Sequence, residues 1–114
     1  MYNIVFYETP GGRVPVQDFL DDRCTNRQRA RTLSALSLLE EAGFQLGPPW
    51  LRKLSRDLWE VRVEADKVHV RIIFGKHERT FVLLHALRKQ TQKLPAKDLE
   101  MARARWREYR SRVR

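Results

Sequence analysis

The sequence contains few cysteines, glycines and prolines, and it has no long hydrophobic run. Cys24 is the only cysteine among 114 residues, so an intramolecular disulfide and a cysteine-rich zinc site are both excluded. With 5 glycines, 5 prolines and 42% hydrophobic residues, the composition is not that of a disordered chain. No stretch approaches the roughly 20 apolar residues that span a bilayer, and residues 1–6 lack the basic start of a signal peptide. We therefore expect a cytoplasmic protein without a membrane partner.

Positive charge is in large excess over negative charge. Lys and Arg total 23 against 14 Asp and Glu, which gives a formal net charge of +9 and a pI near 10.4. An imbalance of this size favours a polyanionic partner, either nucleic acid or an acidic protein. The alternative is a surface made basic only for solubility.

The N-terminal half predicts one strand followed by two helices. Residues 2–7 read as a short strand, and Pro15 is placed in the first turn of a helix. Thr25 and Gln28 have the spacing of a capping box that begins a second helix, and Gly43 is placed to end it. The buried side of that helix is predicted to carry Leu33, Leu36, Leu38, Leu39 and Ala42.

From Leu58 onward the hydrophobic pattern changes from helical to alternating. Strands are predicted around residues 59–64, 68–74 and 80–87, with polar turns at 66–67 and 75–78 suited to hairpins. Pro95 begins a last helix, whose apolar side is Leu99, Ala102, Trp106, Tyr109 and Val113. This order predicts a single α+β domain over residues 1–114, with a twisted antiparallel sheet packed against two N-terminal helices and one C-terminal helix.

Arg62 and Arg71 stand at strand positions where a core strand would carry an aliphatic side chain. If the two strands are hairpin neighbours, both arginines point from the same sheet face, and Lys89 after the next strand can join them. Arginine stays charged and holds two phosphate oxygens at once. We predict that Arg62 and Arg71 clamp a phosphate, while Lys89 supports it or donates a proton. The alternative for Arg62 is an ion pair with Glu60 or Glu64.

The histidines are candidates for proton transfer, because histidine is the side chain that changes charge near neutral pH. His85 lies in the apolar strand, and simple alternation places it with Leu83 and Leu87. It is therefore a catalytic candidate or a hydrogen-bonded core histidine. His69 shares a face with Arg71 and is a candidate for catalysis or for nucleic-acid contact. The histidines lack ligand-spaced carboxylates or cysteines, so we expect neither a metal site nor a cofactor.

Other basic residues are candidate nucleic-acid contacts. Trp50, in a loop that begins at residue 47, can stack on a base or tuck under its own turn. The candidate contacts near this loop and near the end of the last strand are Arg52, Lys53, Arg88 and Lys93. The last helix has a basic side that suits either RNA or a partner protein, consisting of Arg103, Arg107, Arg110 and Arg114.

Four motifs spread over almost the whole chain point to one family: Gly12-x-x-Pro15-Val16-x-x-Phe19-Leu20, Leu58-Trp59-Glu60-Val61-Arg62, Arg71-Ile72 and Leu87-x-Lys89-x-x-x-Lys93-x-Pro95. With these motifs the chain resembles the RelE/HigB superfamily of bacterial toxins, specifically its phage-related HigB-like branch. The resemblance implies a microRelE-like fold and ribosome-dependent cleavage of mRNA by metal-free attack of a 2′-hydroxyl. It also implies a helix-turn-helix antitoxin encoded by a neighbouring gene. The family pattern has an aromatic, a second lysine and a threonine where this chain has Leu87, Gln90 and Leu94.

Two other functions are compatible with the same residues. A ParE-like toxin of this fold poisons DNA gyrase without cutting RNA, and its basic cluster is then a contact surface for protein or DNA. A non-catalytic basic module that binds nucleic acid is the other alternative, and the three departures from the family pattern leave room for it.

Overall fold

The computed structural model describes residues 1–89 and 93–113, which form an α+β fold. Its elements are β1 (Asn3–Phe6), α1 (Pro15–Asp22), α2 (Asn26–Ala42), a 3₁₀ helix (Gly43–Leu46), β2 (Leu51–Lys53), β3 (Leu58–Ala65), β4 (Val68–His77), β5 (Thr80–Lys89) and α3 (Ala96–Arg112). The predicted fold class, with two helices before the main strands and one after them, is confirmed. Within the described ranges, no helix is long and apolar enough to cross a membrane.

The five strands form one sheet in the order β1-β5-β4-β3-β2. Strands β3, β4 and β5 pair antiparallel, as predicted, and β2 joins β3 antiparallel, whereas β1 joins β5 in parallel. The parallel pair is possible because the intervening helices and strands carry the chain back to the starting edge. The strand β2 was expected to be a loop, and that expectation is wrong. Three residues are too few to show an alternating pattern in the sequence.

Helix α2 begins and ends at the predicted residues. The Thr25 hydroxyl accepts a hydrogen bond from the Gln28 amide at 3.0 Å, and the Gln28 side chain accepts one from the Thr25 amide at 2.9 Å. Gly43 ends the helix with a φ of 58°. The predicted buried side is wrong for Leu33 and Leu38, which are 46% and 54% exposed. The helix packs instead through a row that begins with polar residues: Gln28, Thr32, Leu36 and Leu39.

The sheet separates two hydrophobic cores. Helices α1 and α2 cover one face, where the core includes Val16, Leu20, Leu36, Leu39, Val61, Val63, Val70, Ile72, Phe74, Phe81 and Leu83. Helix α3 covers part of the other face, where the core includes Tyr7, Leu58, Ile73, Val82, Leu84, Leu87, Ala102 and Trp106. Strands β4 and β5 are therefore buried on both faces along much of their length.

A β-bulge interrupts the pairing of β4 with β5. Ile73 lies opposite His85 and Phe74 lies opposite Leu83, so Leu84 is the extra residue. One extra residue inverts the alternation of side chains. Leu83 therefore packs against α1 and α2, while His85 and Leu87 point to the α3 side. The prediction that His85 shares a face with Leu83 is wrong for this reason.

Helix α3 contacts the sheet where β4 has no side chain. Gly75 was expected in a turn, but it lies within β4, which continues to His77. The turn follows at Glu78, whose φ is 56°. The Trp106 ring lies directly over Gly75, so that a Cβ atom there would lie 2.7 Å from the ring. The glycine is required for this close approach of helix and sheet.

The C-terminal end of α3 is bound to the chain just after β1. The buried Tyr7 hydroxyl donates to the Glu108 carboxylate at 2.7 Å, and Arg112 pairs with Glu108 at 3.1 Å. Arg112 also donates to the Glu8 carbonyl and lies over the Tyr7 ring. Burial, and then the bond to Glu108, raises the pKa of the Tyr7 phenol above its usual value of 10.0.

We predict that Gly75→Ala lowers the free energy of unfolding by about 1–3 kcal/mol, because the new methyl group must displace the Trp106 ring. Urea denaturation of the two proteins measures the difference. Gly11→Ala is the matched control: its Cβ atom would meet nothing closer than the Thr9 hydroxyl at 3.9 Å, and we expect a change within about 0.5 kcal/mol. Equal stability of Gly75→Ala and wild type would contradict this packing of α3.

We also predict that alkaline pH destabilises the protein through Tyr7. Because its folded-state pKa is raised, the Tyr7 contribution is fully present below about pH 10 and is lost as the pH rises through the folded-state value. Denaturation of wild type and Tyr7→Phe at pH values from about 8 to about 11 checks this. The substitution removes the titrating phenol, so the wild type should lose stability more steeply than Tyr7→Phe. Identical pH dependence of the two proteins would count against it.

Candidate functional site

One face of the sheet carries most of the predicted cations in rows that cross the strands. In β3, β4 and β5, Arg62 lies opposite Arg71 and Arg71 opposite Leu87, while Glu64 lies opposite His69 and His69 opposite Lys89. In β2, Arg52 lies opposite Glu60. We call this surface the arginine face; it comprises Arg52, Glu60, Arg62, Glu64, His69, Arg71 and Lys89. Helix α3 covers the neighbouring part of the same face, around Ile73 and Gly75.

Arg71 and Glu60 lie inside the sheet rather than on its surface, since both side chains are 0% exposed. The Arg71 Nη1 atom lies 3.9 Å from the Glu60 Oε2 atom, and the Arg52 Nη2 atom lies 3.2 Å from Oε1. Burial lowers the pKa of the Arg71 guanidinium, the Glu60 carboxylate opposes that shift, and Arg62 and Arg52 add to it. Arginine nevertheless keeps its charge in proteins. Arg71 is therefore a fixed charge beneath the face, which cannot contact a ligand phosphate in the observed conformation.

Arg62 is the arginine of this row that reaches the surface. It is half-buried, and among the residues that the structure describes it forms neither an ion pair nor a hydrogen bond through its buried Nε atom. The alternative ion pair with Glu60 or Glu64 does not form, because Glu60 is paired with Arg52 and Arg71. Arg62 thus keeps donors for an external anion.

Two arginines directly opposite each other are unfavourable in an antiparallel pair. Like charges at such positions destabilise a sheet by a few tenths of a kcal/mol to about 1 kcal/mol. Glu60 offsets the charge of Arg71, but Arg62 has no equivalent partner in the described part of the chain. We expect an anion bound to Arg62 to offset this repulsion.

The remaining candidates divide between the two sheet faces. Lys89 and His69 lie on the arginine face and are half-buried. Lys53 lies on the opposite face, with its ammonium 5.7 Å from the centre of the Trp59 ring. Arg88, opposite Val70, also points to the α1 side, where it lowers the pKa of the Cys24 thiol against the larger raising effect of burial. These two cations are separated by the sheet from the phosphate position that the sequence predicts.

The motif from Leu87 to Pro95 lies only partly within the residues that the structure describes. Lys93 is exposed just before α3, and Leu94 is half-buried against the core beneath that helix. Leu87 lies opposite Arg71 and is 8% exposed. An apolar side chain therefore occupies the position at which the RelE/HigB pattern has an aromatic residue. Gln90 lies outside the residues that the structure describes, as does Arg114.

His85 connects β5 to α3. Its Nε2 atom lies 2.7 Å from an Asp98 carboxylate oxygen, and its Nδ1 atom lies 3.1 Å from the Arg105 Nη1 atom. Because a guanidinium can only donate, Nδ1 accepts and Nε2 carries the proton that is donated to Asp98. Arg105 also donates to the Leu84 carbonyl at 2.9 Å. Both ring nitrogens are thus engaged, and His85 holds the first turns of α3 against the sheet.

Sequence reasoning missed the role of Glu60. The alternation of residues 58–64 does place Glu60 and Arg62 on one face, which suggests that these two residues pair. The observed partners come from the neighbouring strands instead, because cross-strand neighbours lie closer than residues two apart along a strand. A buried carboxylate between two arginines could have been inferred only with β2 known.

We predict that Glu60→Gln lowers the free energy of unfolding by about 3 kcal/mol, because the neutral amide leaves the buried Arg71 charge without its carboxylate. Glu64→Gln, on the same face of the same strand but exposed, is the control and should change stability by less than about 0.5 kcal/mol. Chemical denaturation at neutral pH provides both values. If the two variants are equally stable, another group must balance Arg71.

Comparison with known proteins shows the family to which the chain belongs. The family described as phage derived protein Gp49-like matches residues 20–107, which include α2, the five-stranded sheet except β1, and most of α3. No curated protein matches the chain. Gp49-like proteins are RelE/HigB-like toxins, and toxins of this class pair with an antitoxin. The chain therefore belongs to the Gp49-like family of phage-derived proteins, and with it to the toxins of toxin–antitoxin systems.

Proposed function

We propose that this protein is a ribosome-dependent mRNA endoribonuclease of the HigB-like branch that blocks translation. The observation that supports this most directly is the row in which the half-buried Arg62 lies opposite the buried Arg71, on the part of the sheet beside α3. Its proposed partners are the ribosome, the mRNA, and an antitoxin that contains a helix-turn-helix domain and is encoded by the neighbouring gene. The proposed site of action is the cytoplasm.

The proposed reaction is cleavage by the 2′-hydroxyl of the RNA itself. That oxygen loses its proton and attacks the adjacent phosphorus, the bond to the 5′-oxygen breaks, and the leaving oxygen takes up a proton. Negative charge grows on the non-bridging oxygens, and fixed cations stabilise it. Arg62 is suited to hold two of these oxygens because its guanidinium forms no ion pair with any described residue. Lys89, in the adjacent row, supports the phosphate or donates the proton to the leaving oxygen.

Arg71 contributes a permanent positive charge beneath the phosphate rather than a direct contact. Its position is set by Glu60, and the low exposure of both side chains limits screening by water. A charge held in place before the substrate arrives costs no rearrangement when the transition state forms. We therefore assign substrate contact to Arg62 and positioning of the local charge to Arg71 and Glu60.

His69 is the better candidate for the general base. It lies next to Lys89 on the arginine face, and no described residue engages its ring. His85 would first have to break its bonds with Asp98 and Arg105. A base must reach the proton that it abstracts, so accessibility favours His69.

One observation favours a second function. Leu87 stands opposite Arg71 with an apolar side chain that neither donates nor accepts a proton. If the described cations alone bind RNA without cleaving it, the protein is a non-catalytic basic module. The nuclease proposal requires the ribosome and the mRNA to supply the remaining geometry.

We predict that Arg62→Ala lowers cleavage at the ribosome by about a hundredfold or more, as for loss of one donor to a developing oxyanion. The measurement is mapping of RNA 5′ ends a few minutes after induction from a tightly repressed promoter. The matched control is Lys53→Ala, which removes a cation from a neighbouring strand on the opposite face and should cleave like wild type. Arg71→Ala is less informative, because it leaves the buried Glu60 carboxylate without this partner and is expected to destabilise the fold.

The outcomes separate the candidate functions. New ends within translated codons that disappear with Arg62→Ala support the nuclease and place its site on the arginine face. Growth arrest without new ends, with DNA synthesis halted, supports a ParE-like gyrase poison instead. Binding to RNA that weakens steeply with salt, without growth arrest, supports the non-catalytic module.

A further inference from the structure

The edge of β5 is open beyond the end of β1. On this side the last bond between the two segments runs from the Tyr7 amide to the Leu83 carbonyl. The Leu84 carbonyl then accepts a bond from the Arg105 side chain, and no described strand pairs with residues 85–89 on this side. The end of β5 therefore offers backbone donors and acceptors along an open sheet edge.

A groove of about 660 Å³ lies along this open edge. Helix α1 borders the groove with Phe19 and Arg23, and the start of α3 borders it with Lys97 and Asp98, while residues 85–89 lie between them. We call it the edge groove. Because α1 and α3 pack on opposite faces of the sheet, the groove crosses the sheet edge from one face to the other.

Positive charge dominates the edge groove. Four cations line it: Arg23, Arg88, Lys89 and Lys97. The carboxylate in its described lining is that of Asp98, which is bonded to His85 at 2.7 Å. None of the four cations forms an ion pair with a described residue. A groove lined by charge of one sign attracts an occupant with repeated charges of the other sign.

The excess of positive charge ends towards the loop between β1 and α1. A second cavity, of about 540 Å³, adjoins the edge groove there and shares Phe19 and Arg23 with it. Asp18 and Asp22 line this cavity, so that carboxylates lie beside its cations. The edge groove is therefore the part of this surface that suits a polyanion.

The edge groove also presents an aromatic ring and continues from the arginine face. Phe19 is half-buried, since it packs against the core beneath α1 and α2 and also lines the groove. An aromatic ring held in this way is a platform on which a nucleobase stacks. Lys89 lies opposite His69 on the arginine face and also lines the groove. A polyanion bound on the arginine face therefore reaches the groove past Lys89.

We propose that the edge groove binds the single-stranded RNA next to the phosphate that is cleaved. The strand passes Lys89 and crosses the open edge of β5, where its phosphates contact Arg88, Arg23 and Lys97. One base stacks on Phe19, and the backbone groups of the edge contact bases or ribose. An open edge also suits a peptide strand, but unpaired cations beside an aromatic ring are typical of sites for single-stranded nucleic acid. The inference rests on the RNA substrate of the proposed function and not on cleavage.

The first test compares two arginine substitutions that remove the same charge. Arg23→Ala changes the edge groove, whereas Arg31→Ala changes α2 outside it; both arginines are exposed and have no ion pair with a described residue. The probe is a fluorescent single-stranded RNA of about ten nucleotides, which is 2′-O-methylated so that it is not cut. Fluorescence anisotropy measures its affinity over a range of salt concentrations.

Arg23→Ala should weaken binding at low salt by about fivefold or more. It should also reduce the slope of log K against log salt concentration by about 0.7, the value for one lost phosphate contact on a single strand. Arg31→Ala should leave that slope unchanged, because its side chain does not line the groove. A purely structural role of Arg23 would not change the slope in this way.

The second test concerns the aromatic ring. Phe19→Leu keeps an apolar side chain against the core but removes the ring, and should weaken RNA binding by about fivefold or more, as for loss of stacking on one base. Phe44→Leu replaces a ring that is 38% exposed and lies outside the groove, and should change the affinity by less than about twofold. Circular dichroism at the assay temperature shows that each variant is folded.

Each other outcome overturns the proposal. Equal effects of Arg23→Ala and Arg31→Ala mean that only the net charge matters, and absence of binding by the wild type at low salt removes RNA from the groove. Unchanged RNA binding by Arg23→Ala, together with weaker binding of the antitoxin, identifies a protein as the occupant. Because the probe is not cut and no ribosome is present, absence of cleavage by the wild type in cells rejects only the nuclease proposal.

Discussion

Arg71 places a permanent positive charge inside the sheet, and the carboxylate of Glu60 on the adjacent strand makes that position tolerable. A buried charge without a partner destabilises a fold by several kcal/mol, and the pairing of β3 with β4 brings the Glu60 carboxylate to 3.9 Å from the Arg71 guanidinium. The short strand β2 then adds Arg52 to the second carboxylate oxygen. With Glu60 engaged by two arginines, Arg62 is left without an ion pair among the described residues. The geometry of the arginine face thus follows from one buried ion pair.

The same sheet face serves both stability and the candidate chemistry. Helix α3 covers part of it through Trp106 on Gly75 and through the bonds of His85 with Asp98 and Arg105. The remaining part is occupied by charged residues and is not covered by α3. The bulge at Leu84 turns His85 towards α3. His85 is close in sequence to Lys89, but it stabilises the packing of α3 on the sheet and does not face the candidate site. His69, on the regular strand β4, remains on the arginine face.

The sequence predicts those features that depend on neighbours along the chain or across a tight hairpin. Pro15 at the start of α1, the Thr25–Gln28 capping box and the alignment of Arg62 with Arg71 follow from local patterns, and the structure confirms them. Features that depend on distant partners are not predictable in this way. The buried row of α2 includes Gln28 and Thr32 in place of Leu33 and Leu38, because the sheet selects the row that it contacts.

The candidate site shows the same division. Its cations are visible in the sequence, since arginine is unusual in the middle of a strand. The burial of Arg71, the position of Lys53 on the other face and the engagement of His85 were not visible. These features depend on elements that a local pattern does not reveal. Lys53 belongs to the three-residue strand β2, and His85 reaches α3 because of a one-residue bulge in β5. A residue type therefore indicates a chemistry, whereas its accessibility requires the fold.

The parallel pairing of β1 with β5 has a consequence for how the protein forms during synthesis. Residues 3–6 pair with residues 80–83, and Tyr7 and Glu8 are bound by Glu108 and Arg112 of the last helix. Contacts between such distant residues form slowly, because a long loop must close first. A nascent chain that still lacks α3 has both strands of the β1–β5 pair but cannot cover the second core. The growing polypeptide therefore exposes the second hydrophobic core, on the α3 side of the sheet, until the last helix has been made and can pack there.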